Sequence, residues 1–333
     1  MSTTQPTALI TGVHGQDGSY LAERLVGEGW NVHGVFRPGS SSPARARDHD
    51  DVTLHAVDLV DEQATTRLFD EVRPNHVFHF AGMSSVGRSW HDPMTTVRVN
   101  AVATTSLLNL AHLEQERSGD PVVFVNASSS EIFGAARDGA RSENDPVAPT
   151  SPYGATKAYA HQLGAVYRSH GLAVSNAILF NHESPRRGVQ FVTGKIAQGA
   201  ALIARGEMDH LSLGDMSARR DWGWAPDYVD AMFRMALTGT GDDYVIATGR
   251  SHSVRDFVAA AFAAAGIEDW ERHVVTDEAH MRPVDPADCV GDARRARETL
   301  GWTPTVEFPE IVRAMVESHM SSRIDDAMNK ERV

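Results

Sequence analysis

The sequence predicts an α/β protein: a doubly wound parallel sheet with a smaller mixed α/β lobe. Two observations carry this. Short β-branched runs alternate with stretches of helical periodicity as far as Phe180, and a cluster of glycines follows the first run. Thr7 to Thr11 reads as the first strand, and Ser19 to Glu28 as a helix with Leu21, Ala22 and Leu25 at helical spacing. Asn31 to Phe36 and Val52 to Val57 are the next strands. His76 to Ala81 and Pro121 to Asn126 follow, separated by one long helix from about Met94 to Glu116. A helix carrying Tyr153 and Lys157 leads into a sixth strand, Ala173 to Phe180. Beyond it the order changes. Val192 to Arg205 is helical, Ala218 to Asp227 reads as a loop rich in charge and tryptophan, and Asp227 to Leu237 is helical. Asp243 to Ala247 returns to the sheet, and Ser253 to Ala265 is a further helix. This order assigns 1–180 with 221–249 to the sheet domain, 181–220 with 250–320 to the lobe, and 321–333 to a polar tail. The stretch Gly39 to Asp51 reads as a flexible loop.

Composition narrows the function. With 31 basic and 44 acidic residues the formal charge is −13, which argues against a nucleic-acid surface. One cysteine, Cys289, excludes an intramolecular disulfide and fits a reducing cytoplasm. No apolar run approaches the ~18 residues that span a membrane, and the start lacks the pattern of a signal peptide. The sixteen histidines lack a paired ligand spacing, so no metal is expected.

Gly12-Val-His-Gly15-Gln16-Asp17-Gly18 lies between the first strand and the first helix. Glycines there let backbone N–H groups approach a pyrophosphate at the helix N-terminus, which predicts a Rossmann-like dinucleotide site. The second strand ends in Phe36 and Arg37, with no carboxylate until Asp48. A guanidinium suits a 2′-phosphate, so NADP is favoured over NAD. Asp58 and Leu59, after the third strand, are placed to receive the adenine edge.

The chemistry is expected beyond the fifth strand. Ser129 can hydrogen-bond a sugar hydroxyl, and Glu131 offers a carboxylate for proton transfer. Tyr153 precedes Lys157 by one helical turn, so both leave the same helix face. An ammonium beside a phenol is expected to lower the tyrosine's pKa toward working pH. Asn181 and the pair Arg186-Arg187 follow a hydrophobic strand and suit an anionic diphosphate.

These motifs resemble the extended short-chain dehydrogenase/reductase superfamily and, within it, the GDP-mannose 4,6-dehydratases. The resemblance covers nearly the whole chain. It rests on Ile10 to Glu23, Ser151-Pro-Tyr-Gly-Ala-Thr-Lys157, Arg220-Asp-Trp-Gly223 and, most specifically, Asn181-His-Glu-Ser-Pro-Arg-Arg-Gly188. It implies that Tyr153 takes the proton of the sugar 4-hydroxyl as hydride leaves carbon 4 for NADP. Ser129 holds the oxygen, and Lys157 tunes the tyrosine and holds the nicotinamide ribose. Glu131 removes the carbon-5 proton and assists loss of the 6-hydroxyl, and the hydride returns to carbon 6. It further implies that Ala81 contacts the cofactor, and that Ser84, Asn181, Arg186, Arg187, Lys195, Arg220 and Arg282 hold a GDP-sugar. A homodimer or homotetramer is implied, paired through the helices of about 94–116 and 153–170.

The chain departs from the family pattern at several positions. Ser129 stands for threonine, Pro38 for a second arginine, and Asp285 with Pro286 near Arg282 for the usual glutamate. Met83, where the family loop carries polar residues, is expected to make the substrate side more apolar. The alternatives are a nucleotide-sugar 4-epimerase using the same Ser129, Tyr153 and Lys157, which needs no base for carbon 5, and a nicotinamide-binding sensor without turnover.

Overall fold

The computed structural model describes residues 5–39, 51–134, 139–277 and 288–330, the last without the side chains of 322–330. Up to Leu179 strands and helices alternate: β1 (Thr7–Thr11), α1 (Gln16–Gly27), β2 (Asn31–Phe36), β3 (Val52–Ala56), α2 (Glu62–Val72), β4 (His76–His79), α3 (Val86–His91), α4 (Pro93–Val97), α5 (Ala103–Ser118), β5 (Val123–Ser129), α6 (Pro152–Ser169) and β6 (Ala173–Leu179). Then come β7 (Asn181–Glu183), α7 (Val192–Ala204), β8 (Leu211–Leu213), β9 (Arg219–Trp224), α8 (Ala225–Thr238), β10 (Asp243–Ile246), β11 (Ser251–Ser253), α9 (Val254–Ala264), β12 (Val274–Thr276), α10 (Arg294–Leu300) and α11 (Phe308–Lys330).

The central sheet runs β3-β2-β1-β4-β5-β6-β10, and every pair is parallel. Strands covered on both faces read as continuous apolar runs, which is why Ala8, Leu9 and Ile10 are all fully buried. One face packs α1 and α8 around Leu21, Leu25 and Met232; the other packs α2 and α5 around Phe69, Leu107 and Leu108. A third cluster gathers Ile196, Trp222, Phe257, Phe262 and Ile311 away from that sheet. Chain order reverses between β1 and β4, and in such sheets ligands lie beyond the carboxyl ends of the strands at the reversal. The α/β class and the parallel sheet are as the sequence predicts.

Four local features differ. The expected long helix is broken: a π turn, Arg98–Val102, separates α4 from α5 and carries the inward-facing Asn100. Ala218 to Asp227 is not a loop, since β9 pairs with β7 and β11 and buries Arg220, Asp221 and Trp222. Its charges hid the strand because their partners lie elsewhere in the chain. β5 extends through Ser129, so the serine stands on the strand end. The polar stretch after Ser321 continues α11 as far as Lys330. Among the described residues no helix is long and apolar enough to cross a membrane.

Candidate active site

A cleft of about 880 Å³ opens at the carboxyl ends of β1, β4, β5 and β6, between the sheet and the segment that follows β6. Its floor is the glycine loop. Gly12 has φ +73, and a Cβ there would lie 3.0 Å from the Ala81 nitrogen; a Cβ on Gly18 would lie 2.4 Å from the Gly12 carbonyl oxygen. Side chains are therefore excluded at these two positions. Gly15 precedes α1 and offers no side-chain cap, so the first N–H groups of the helix are left unclaimed by a capping residue at the edge of the cleft. This fits a pyrophosphate. Phe36, stacked on His14 at 4.6 Å, and exposed Arg37 form the far end.

Ser129, Glu131, Tyr153 and Lys157 line one wall. α6 is started by Ser151, whose hydroxyl caps the Gly154 N–H, with Pro152 in the first turn. Ser129 hydrogen-bonds Tyr153, and the Glu131 N–H donates to Ser129 Oγ at 3.2 Å. Lys157 Nζ lies 5.9 Å from the Tyr153 ring centre and donates to the Ala127 carbonyl at 2.7 Å. The expected low tyrosine pKa is not found. Burial pushes Tyr153 up to about 12, against the Ser129 hydrogen bond, and the Glu131 charge adds to the rise. The lysine cannot reverse this, because its own ammonium is buried, pulled down to about 8, and turned to a carbonyl.

The opposite wall is the segment after β6. Asn181, Arg186, Arg187 and buried Arg220 line the cleft, as do Ala81 and Ser84. The arginines are already engaged. Arg186 stacks on Tyr20 at 3.9 Å, donates to Ser19 at 3.0 Å and pairs with Glu23. Arg187 lies 3.7 Å over the Phe191 ring, with Nε 3.1 Å from buried Glu183 but angled off a hydrogen bond. Arg220 donates to the Arg219 carbonyl at 2.7 Å.

Gln16 and Asp17 line the cleft but turn to this same segment. Gln16 donates to the His182 carbonyl and accepts from Ser184; Asp17 Oδ2 lies 3.1 Å from His182 Nε2. Burial opposes charge on both partners, yet the pairing wins: it raises His182 above the usual imidazole range and holds Asp17 below the usual carboxylate range.

Lys195, Asp58 and Leu59 do not line the cleft; Leu59 is instead part of the core. Met83 also points away from it. Its sulfur accepts from Thr96 at 3.1 Å and its backbone is held by Asn100, so it does not make the substrate side apolar. Arg282, Asp285 and Pro286 lie outside the described residues. Asn100, His182 and Glu183 escaped the reading from residues. His182 and Glu183 stood inside a quoted run, whereas nothing around Asn100 marks it.

A family model described as GDP-mannose 4,6 dehydratase matches residues 9–315. The chain is 40% identical over 324 residues to GDP-mannose 4,6 dehydratase 2 of Arabidopsis thaliana, covering 94% of this chain and 86% of that one. It is 38% identical to the Homo sapiens GDP-mannose 4,6 dehydratase, covering 96% and 92%. Among solved structures, the Thermus thermophilus UDP-glucose 4-epimerase complexed with NAD superposes with TM-score 0.83 at 28% identity, over 95% of this chain and 99% of that one.

Proposed function

The chain belongs to the GDP-mannose 4,6-dehydratase family, and from that premise we propose that it removes water from GDP-mannose, or a close GDP-sugar relative, leaving the 4-keto-6-deoxy sugar nucleotide. One observation carries the reaction type: Glu131 shares a wall with Ser129 and Tyr153. An epimerase needs the serine, tyrosine and lysine but no carboxylate for carbon 5, so Glu131 favours elimination.

The uncapped start of α1 and the close approach at Gly12 and Gly18 support a nicotinamide dinucleotide in the cleft. Arg37 supports a 2′-phosphate, hence NADP with NAD second. A nicotinamide held there would supply reversible hydride transfer, oxidising the sugar at carbon 4 and reducing it at carbon 6. Tyr153 takes the proton of the 4-hydroxyl, and Ser129 holds the oxygen that becomes a ketone. Against the burial that raises its pKa, the Ser129 hydrogen bond and, less strongly, the Arg187 charge favour the Tyr153 phenolate. The ketone acidifies carbon 5. Glu131 removes that proton and delivers one to the departing 6-hydroxyl; as hydride returns to carbon 6, carbon 5 takes up the proton that Tyr153 removed from the 4-hydroxyl, so both side chains end as they began. Asn181, Arg187 and Arg220 are the groups we assign to the diphosphate, and Ser84 to the sugar.

Exposed Met94, Val97, Leu113, Tyr159 and Val166 on α4, α5 and α6 support pairing of two copies there.

Incubation with GDP-mannose and NADP should yield a product lighter by one water, with no net change in the cofactor. Glu131→Gln should bind cofactor normally and fail to lose water. Full dehydration by Glu131→Gln would remove the carboxylate from the mechanism.

A further inference from the structure

His79 ends β4 and is 2% exposed, beneath the cleft wall rather than in it. Both ring nitrogens are used. Nδ1 is 2.8 Å from the Thr11 hydroxyl and Nε2 is 2.9 Å from the Thr104 hydroxyl. The surrounding bonds assign the protons. Thr104 donates its only proton to the Asn100 carbonyl at 2.6 Å, so it accepts from His79 Nε2–H. In a neutral ring Nδ1 then accepts from Thr11, whose oxygen receives the Ala81 N–H at 3.1 Å. The ring is neutral, because burial and the Lys157 charge push its pKa down to about 3.

The network continues through Asn100. Its side-chain oxygen accepts the Met83 N–H at 2.7 Å, and its amide donates to the Met83 carbonyl at 3.1 Å and to Thr156 at 3.0 Å. Thr156 in turn donates to the Tyr153 carbonyl at 2.8 Å. A Cβ on Gly82 would lie 3.1 Å from Asn100 Oδ1 and 3.9 Å from Lys157 Nζ, so this loop runs directly beside the lysine. One buried imidazole thus ties the end of β1 and the 81–83 loop to the π turn. Through Asn100 it also reaches the helix turn that presents Tyr153 and Lys157.

We propose that His79 is a positioning residue for the reaction, holding Ala81 through Thr11 and the Asn100 turn through Thr104. The inference rests on the reading of Tyr153 and Lys157 as the reacting pair and of Ala81 as a cofactor contact. A residue that merely filled space would be replaced by any side chain of similar volume. A residue that positions two separate groups should be recovered in halves by two amides. Asparagine sets an oxygen where Nδ1 stands and can keep the Thr11 link; glutamine reaches the Nε2 position and can keep the Thr104 link.

The test compares wild type with His79→Leu, His79→Asn and His79→Gln. Each is measured for the affinity of NADPH by its fluorescence, for kcat and KM of water loss from GDP-mannose, and for fold by circular dichroism. His79→Leu should keep its fold and bind NADPH more weakly, with kcat lowered about 100-fold, the scale of an active-site misplacement near 1 Å. His79→Asn should recover NADPH affinity but not kcat; His79→Gln should recover more of kcat than of affinity. Wild-type behaviour of all three, or amides as impaired as leucine in both measures, would overturn the proposal. If the leucine variant does not fold, the opposed recovery by the two amides decides alone. If wild type does not turn over GDP-mannose, the proposed function fails, while the NADPH series still tests His79.

Discussion

The two walls of the cleft handle charge in opposite ways. On the β5–α6 wall burial outweighs the partners of Tyr153 and Lys157, pushing the tyrosine up to about 12 and the lysine down to about 8. On the wall after β6 the charges are paired within the chain, Arg186 with Glu23, Arg187 with Glu183 and His182 with Asp17, although burial still holds the Glu183 carboxyl above the usual range. The first wall holds an unfavourable state that an incoming ligand's charge can relieve, which suits groups that must move protons. The second is preorganised, and a diphosphate binding there exchanges one anionic partner for another. The difference separates the chemistry of the site from its grip.

The sharpest way to break this contrast is to remove one group from each wall. Tyr153→Phe should lower kcat by roughly 10²–10⁴-fold and leave substrate KM nearly unchanged, as expected when a proton-transfer group is lost. Arg187→Ala should act the other way, raising KM on the order of 10- to 100-fold with a smaller effect on kcat. Equal effects of the two on kcat and KM would erase the division. Arg186→Ala refines it further. Because Arg186 is bound to Ser19, Tyr20 and Glu23, its loss should cost about 1 kcal/mol of stability, read by urea unfolding, and change KM little. A KM rise matching that of Arg187→Ala would return Arg186 to the substrate contacts.

The smallest effect is on stability against pH. His79 and His76 have folded pKa values lowered by burial to about 3 and about 4. Below the unfolded value near 6.5 the unfolded chain takes up protons that the fold refuses, so stability should fall as pH drops from there toward 4. His182 has the opposite sign: its raised pKa stabilises fully below about 6.5 and is lost as pH rises through the folded value. His79→Asn should flatten the acid side of the melting-temperature profile, and His182→Asn the neutral-to-alkaline side. Parallel profiles for both variants would contradict the assignment of these charges.

The β5–α6 wall was legible because its signals are local. Tyr153 and Lys157 share one helix face, and Ser129 and Glu131 follow one strand, so spacing alone brings each pair together. The scaffold beneath was not: the His79–Thr11 bond spans 68 residues of sequence, and the Asn100–Thr156 bond spans 56. The π turn that aims Asn100 inward leaves no mark in the helical periodicity. The pairing of Arg186 was hidden for a related reason, since Glu23 lies 163 residues away in α1. Strand β9 was missed because its buried Asp221 looks like a loop residue. Its carboxylate in fact accepts from the N–H groups of Thr248, Gly249 and Gly291. The tyrosine's pKa was missed because helix spacing places an ammonium near a phenol without saying what the ammonium binds.

The central claim is that the two walls together perform an internal oxidation, elimination and reduction on one sugar. Product NMR after incubation with GDP-mannose and NADP in deuterated water tests it most directly. The account predicts a 4-keto-6-deoxy product carrying deuterium at carbon 5, because the original carbon-5 proton leaves with the water and its replacement comes from the 4-hydroxyl through Tyr153, both of which exchange with solvent. An unlabelled sugar inverted at carbon 4 would contradict it.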